Sequence, residues 1–457
     1  MNATASLHRA RVGRLRGLAI GAAAAGLLAS CSVAASPSPT TGASPSPSGS
    51  ATTQVAATPT PTLSSAPTPT ATPFPSVEAA PAGPWSGIRW ISAGPVFPQT
   101  PVPVTDGGSV QVSVFGWSRG YVGFRTAVDQ SNPSVAATMS IVSTFSADGL
   151  HWTAGRPLDI EGLMKTTVGI TAVIEGPSGL LAVGRYQQAA CGGPATVDVL
   201  WTSSDGLTWT RVTPPADFAS ASVYTIDGGS TGYIASGTLK DGVTQAVWLS
   251  ADGRSWRQSP LPKATFGTVV VDGATAFSAG YVVAGAVLGD EGCGGARLLT
   301  PSLWWSANGA SWTRSKLTGA TPASDATMTV SRISDRALVA IATEWNSTTQ
   351  LSSQLVWATS DGQTWKLVKS PSSLLSASVL SNGQRGLVVI APPDNNGPPT
   401  IATVSDDLTV TALSQSGNGP IASASSTGWV PAALGPTGVV ILSSDGLNLW
   451  LGVPTAP

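Results

Sequence analysis

A short polar turn recurs along this chain, and it fixes what the chain can fold into. The copies read Ser146-Ala-Asp148-Gly-Leu-His-Trp152, Ser203-Ser-Asp205-Gly-Leu-Thr-Trp209, Ser250-Ala-Asp252-Gly-Arg-Ser-Trp256, Ser306-Ala-Asn308-Gly-Ala-Ser-Trp312 and Thr359-Ser-Asp361-Gly-Gln-Thr-Trp365. A degenerate copy surrounds Asp407, and a last one centres on Asp445-Gly. Asp-Gly or Asn-Gly between apolar runs is a hairpin signal, because glycine accepts positive φ without a steric penalty. The Asp side chain accepts hydrogen bonds from N–H groups of its own turn. The seven turns lie roughly 40–57 residues apart, the period of propeller blades.

A second register runs independently of the first. Here a small turn leads into an apolar strand: Gly120-Tyr-Val, Gly179-Leu-Leu, Gly232-Tyr-Ile, Gly280-Tyr-Val, Arg336-Ala-Leu, Gly386-Leu-Val and Gly428-Trp-Val. It too counts seven. The pattern predicts an all-β fold over residues 85–457, a seven-bladed β-propeller of four-stranded antiparallel blades. In the third blade the strands are expected at Ser222 to Asp227, Gly232 to Thr238, Gln245 to Leu249, and from Trp256 onward. Tryptophans bracket the turns at matched offsets (Trp201 and Trp209, Trp248 and Trp256, Trp304 and Trp312, Trp357 and Trp365), as core between neighbouring blades would require.

The turn resembles the Asp-box of sialidase-like, or BNR-repeat, propellers, usually Ser-x-Asp-x-Gly-x-Thr-Trp. Here Gly follows Asp directly, so the loop is one residue shorter. The resemblance implies the fold and a structural role for the turn, between the third and fourth strands of a blade on the face opposite the ligand site. Family sialidases also carry an Arg-Ile-Pro motif, which does not occur here. Tyr121, Tyr233 and Tyr281 belong to the strand register, and nothing positions Arg125, Arg185 and Arg297 as a sugar-carboxylate clamp. A sialidase-like exo-glycosidase is therefore the alternative reading. A chaperone-like assembly scaffold, as in propellers resembling photosystem II assembly proteins, is a third, disfavoured by the few lysines.

The N-terminus has its own logic. Arg9, Arg11, Arg14 and Arg16 precede an apolar stretch from Gly17 to Leu28, the length of a signal-peptide core and too short to span a bilayer. It ends in Leu28-Ala-Ser-Cys31, which resembles the lipobox of bacterial lipoproteins. That resemblance implies a signal peptide over 1–30, and a diacylated Cys31 that anchors the protein to the outer face of the bacterial cytoplasmic membrane. Residues 31–84 are Pro-, Ser- and Thr-rich, a disordered tether with too little apolar surface to offset its ordering entropy.

Composition bounds the chemistry. Charged residues are 10% of the 457 and the net charge is -1, which argues against nucleic-acid binding. His151 is the only imidazole outside the leader, so neither a multi-histidine metal site nor a Ser-His-Asp triad is expected. No cofactor is expected. Cys191 and Cys293, in matched Cys-Gly-Gly loops, form a possible disulfide in an oxidising compartment.

The segments following the second-register strands vary in length, and function favours such loops. They carry Arg125, Arg185, Tyr186, Lys240, Asp241, Asp290, Glu291, Glu344, Trp345 and Asp394, all expected on one rim. Trp345 stands outside the repeated tryptophan positions. The expected protein is a monomeric cell-surface lipoprotein whose propeller binds or scaffolds a glycan or an exported protein.

Overall fold

In the computed structural model the described residues are 80, 85–97, 109–129, 138–163, 168–186, 197–264, 267–291, 297–346, 351–368, 377–382, 386–390, 400–405, 409–417, 419–420, 432–443 and 448–456. Cys31, Cys191, Cys293, Asp394, Asp407 and Asp445 lie outside them, as do the leader and nearly all of the tether.

Seven sheets form the molecule. Blade 1 comprises Ser109–Trp117, Gly120–Asp129, Thr138–Ser146 and Thr153–Pro157. Blade 3 comprises Ser222–Gly229, Gly232–Thr238, Gln245–Ser250 and Arg257–Ser259. The first three of these strands begin where the sequence reading starts them. Blades 2, 4, 5 and 6 follow the same antiparallel order, with inner strands Val168–Gly176, Thr268–Phe277, Asp325–Ser334 and Ala377–Ser381. Each inner strand touches the next, and that of blade 7, Ala432–Leu434, touches the first, so the ring is closed. At the seam Gly116 lies so close to Leu434 that a Cβ would fall 1.9 Å from the Leu434 carbonyl oxygen.

Closure comes from the N-terminal end of the domain. Blade 7 is Ala432–Leu434, Val439–Leu442 and Asn448–Thr455, and its fourth strand is Gly87–Pro95, antiparallel to the third. Ser414–Ser416 adds a parallel edge strand outside it. This arrangement corrects both registers in the last blade. The small turn before the second strand is at Gly438 (φ 151°), not Gly428. Asp445 lies outside the described residues, between a second strand ending at Leu442 and a third beginning at Asn448, whereas the turns at Asp148, Asp205, Asp252, Asn308 and Asp361 join third strands to fourth. The reason is topological: when the fourth strand comes from the far end of the domain, no third-to-fourth turn exists in that blade.

Apolar side chains collect between blades. Trp201, Trp248, Trp304 and Trp357, one on each third strand of blades 2 to 5, are wholly buried. Trp201 and Trp209 share a cluster with Val122, Phe124 and Ile141 of the preceding blade. Second-register tyrosines add polar latches. Tyr121, Tyr233 and Tyr281 donate their hydroxyls to the carbonyls of Gly438, Gly179 and Thr231, in the first turn of the preceding blade (2.8, 2.8 and 3.1 Å).

The corner turns show why Ser-x-Asp-Gly repeats. In blade 3, Asp252 Oδ1 accepts the N–H groups of Arg254 (2.8 Å) and Ser255 (2.7 Å) and the hydroxyl of Ser250 (3.0 Å). The N–H of Gly253, at φ 70°, donates to Ser250 Oγ at 2.8 Å. Asp148, Asp205 and Asp361 make the equivalent set, and Asn308 accepts from Ala310 at 2.9 Å. Burial opposes the charge on these aspartates, but the converging donors outweigh it and hold all four below the usual carboxylate range, Asp252 at about 2.

A folded-state pKa below the unfolded value stabilises above the unfolded pKa and loses that contribution as pH falls through the folded one. Wild-type stability is therefore expected to drop between about pH 4 and pH 2. Asp252→Asn, the residue found naturally at 308, is expected to weaken that acid dependence and to give up the same contribution near pH 7. Asp252→Ala is expected to cost about 1–2 kcal/mol. Urea denaturation at pH 7 and pH 3 reads both.

Candidate functional site

Two regions of the ring carry polar chemistry: the rim at the far ends of the second strands, and the axial channel between the inner strands. The rim follows from strand alternation. Second strands start at the corner face and end at the opposite one, so Arg125, Arg185, Tyr186, Asp290, Glu291, Glu344 and Trp345 all fall in the half of the second strands leading to that end.

They reach one rim but not one point. Arg125 is half-buried in blade 1, laddered between Val112 and Val142. Arg185 donates Nε to Asp198 at 2.7 Å and a second nitrogen to the Val223 carbonyl at 3.3 Å, so it joins blade 2 to blade 3. Glu344 is buried and accepts from the N–H and hydroxyl of Thr321 (both 3.3 Å) and from Ser353 (3.4 Å). Asp241 accepts from Val243 and Thr244 in its own turn (2.9 and 2.8 Å), and the Thr244 hydroxyl bond in particular lowers its pKa. Tyr186, Asp290 and Glu291 are placed as strand residues only. Among Arg125, Arg185, Glu344 and Trp345, whose side chains are described, no hydrogen bond joins one to another. Trp345 is 37% exposed.

The channel holds groups that the sequence reading passed over. A cavity of about 330 Å³ lies near the corner face, lined by Glu175, Asp227 and Arg332 among small and aliphatic residues such as Gly116, Thr225 and Ser331. Glu175 accepts the N–H of Ser118 (2.9 Å) and also its hydroxyl, tying blade 1 to blade 2. Asp227 accepts the N–H of Gly228 (2.8 Å) and the hydroxyl of Thr275 in blade 4. Burial pushes the Asp227 carboxyl up, against the pull of the Arg332 charge and its hydrogen bonds. Arg332 itself is held by Asp335 at 2.8 Å.

A signal for two of them was present: Ile174-Glu-Gly and Ile226-Asp-Gly each place an acid shortly before the first turns of blades 2 and 3. Chemically the cavity offers two carboxylates and one guanidinium, each already holding neighbouring elements together. It suits water or a small polar ligand better than a sugar carboxylate, which needs converging cations. Among the described residues no three His, Cys, Asp or Glu side chains group as metal ligands.

No family model matches the chain, and no curated protein matches it. Solved structures do. The β-propeller domain of the trilobed protease from Pyrococcus furiosus, described as having an open velcro topology, is 8% identical over 76% of this chain and 94% of that one, with a TM-score of 0.40. The acylaminoacyl peptidase of Pyrococcus horikoshii is 11% identical over 77% of this chain and 52% of its own (TM-score 0.39). A Trypanosoma rangeli sialidase is 14% identical over 66% and 54% (TM-score 0.29). The chain's own sheet topology, independently of these likenesses, makes it a closed seven-bladed β-propeller.

Proposed function

We propose that this chain is an exported lipoprotein whose propeller binds or scaffolds an extracytoplasmic ligand, a glycan or an exported protein, without turning it over. The location rests on Leu28-Ala-Ser-Cys31 behind a basic, apolar leader, with acylated Cys31 as the membrane anchor. The single observation that carries the non-catalytic reading is the state of Arg185. This rim cation, which a clamp on an anionic substrate would need free, is bonded to Asp198 and to the next blade's backbone. A group spent on holding two blades together is a scaffold element.

Two measurements test this. Full-length protein expressed in a bacterium and analysed by mass spectrometry is expected to carry acyl chains on Cys31, and Cys31→Ala is expected to move it from the membrane to the soluble fraction. The purified propeller is expected to release no fluorophore from a fluorogenic sialoside. Unmodified Cys31 in membrane-bound protein sinks the anchor, and turnover of the sialoside restores the glycosidase reading.

A further inference from the structure

The second and third strands of blade 5, Ala337–Asn346 and Leu351–Thr359, run ten and nine residues and pack against Val404 and Val410 of blade 6. Apolar packing between the two blades involves Val339, Ile341 and Val356 from the blade 5 face, and Ile341 pairs with Val356 across the ladder. Two further rows lie beyond that pair on the same face, because side chains alternate along a strand. One row is Thr327, Thr343 and Gln354; the other is Asp325, Trp345 and Ser352. Gln354 and Ser352 are exposed, Thr327, Thr343 and Asp325 are half-buried, and Trp345 is 37% exposed.

Along the second strand this face passes from Val339 and Ile341 to Thr343 and Trp345, with Thr327, Asp325, Gln354 and Ser352 flanking the indole on the neighbouring strands. The set matches one chemistry well. A pyranose has an apolar C–H face that stacks on an indole and a hydroxyl rim that hydrogen-bonds to amide, hydroxyl and carboxylate groups. The strip holds a carboxylate and no cation, so it disfavours acidic sugars.

We propose that the rim half of the blade 5 face turned toward blade 6, centred on Trp345, is a binding site for a neutral oligosaccharide. Trp345 stacks on a sugar ring while Gln354, Ser352 and Thr343 read its hydroxyls. This rests on the reading of the chain as an extracytoplasmic binding propeller and names its ligand class.

The test titrates the purified propeller by calorimetry with neutral gluco-, manno- and galacto-configured oligosaccharides, and with sialylated and uronic-acid oligosaccharides. At least one neutral oligosaccharide is expected to bind. Trp345→Ala is expected to weaken it about tenfold or more with an unchanged thermal midpoint, and Trp345→Phe to restore part of the loss. Neutral binding that survives Trp345→Ala overturns the site but leaves the binding reading standing. Binding of acidic sugars alone, or of none, overturns the ligand class. Acylation of Cys31 and inertness toward the sialoside are measured separately, so failure here is distinguishable from failure of the wider reading.

Discussion

A chain beginning at Val96 is expected to lose the cooperative fold. Such a chain lacks Gly87–Pro95, the fourth strand of blade 7, and with it the whole ladder from Gly87 opposite Thr455 to Pro95 opposite Asn448. Trp85, Ile88 and Trp90 are 4%, 1% and 6% exposed and pack on Leu413, Leu434, Val439 and Ile441. The bonds from Ser86 to Thr455 and Ala456, and from Trp90 Nε1 to Gln415 (2.8 Å), go too. Burying three large apolar side chains contributes about 4.5–9 kcal/mol at roughly 1.5–3 kcal/mol each. That is comparable to the total stability of a typical domain, about 5–15 kcal/mol. The truncation also leaves Asn448–Thr455 as a bare, largely apolar edge, an aggregation template. Soluble yield and a circular-dichroism melt check this. Retention of the full chain's thermal midpoint contradicts the role given to this strand.

Trp248→Ala is the second large effect, expected to cost about 3–5 kcal/mol by urea denaturation. The indole is wholly buried between blades 2 and 3, with the Phe218 ring 5.2 Å away between centroids. Its Nε1 donates to Asp217 Oδ2 at 3.0 Å, so truncation removes a partner from a carboxylate as well as opening a cavity. The contrast with Trp345 is diagnostic. Alanine there removes an exposed ring, and stability is expected to change little.

The corners were legible in the sequence because their chemistry is local. Ser250, Asp252 and Gly253 satisfy one another within four residues, so the motif travels with its structure. Blade count and strand positions follow from the repetition of that unit. Ring closure was not legible. Residues 87–95 meet residues 448–455 and 414–416 from the other end of the domain, and no turn marks a pairing so distant. Gly428 and Gly438 are both small residues followed by apolar ones, and only the ladder of Val439 with Gly452 separates them.

Nothing in the sequence revealed that Arg185 faces Asp198 across the ladder. Glu175 and Asp227 went unread for a different reason. A charged residue in a strand passes for the solvent face of an alternating pattern, whereas on an inner strand it points into the axis.

An N-terminal strand seals the ring of seven sheets, and hydrogen exchange on the full-length protein probes that seal most directly. Amides paired across this seam in Ile88–Ile91 are expected to exchange as slowly as those of Leu449–Leu451, through global unfolding alone. Exchange of Ile88–Ile91 at the rate of unstructured peptide, with Leu449–Leu451 still protected, would contradict a closed seven-bladed ring.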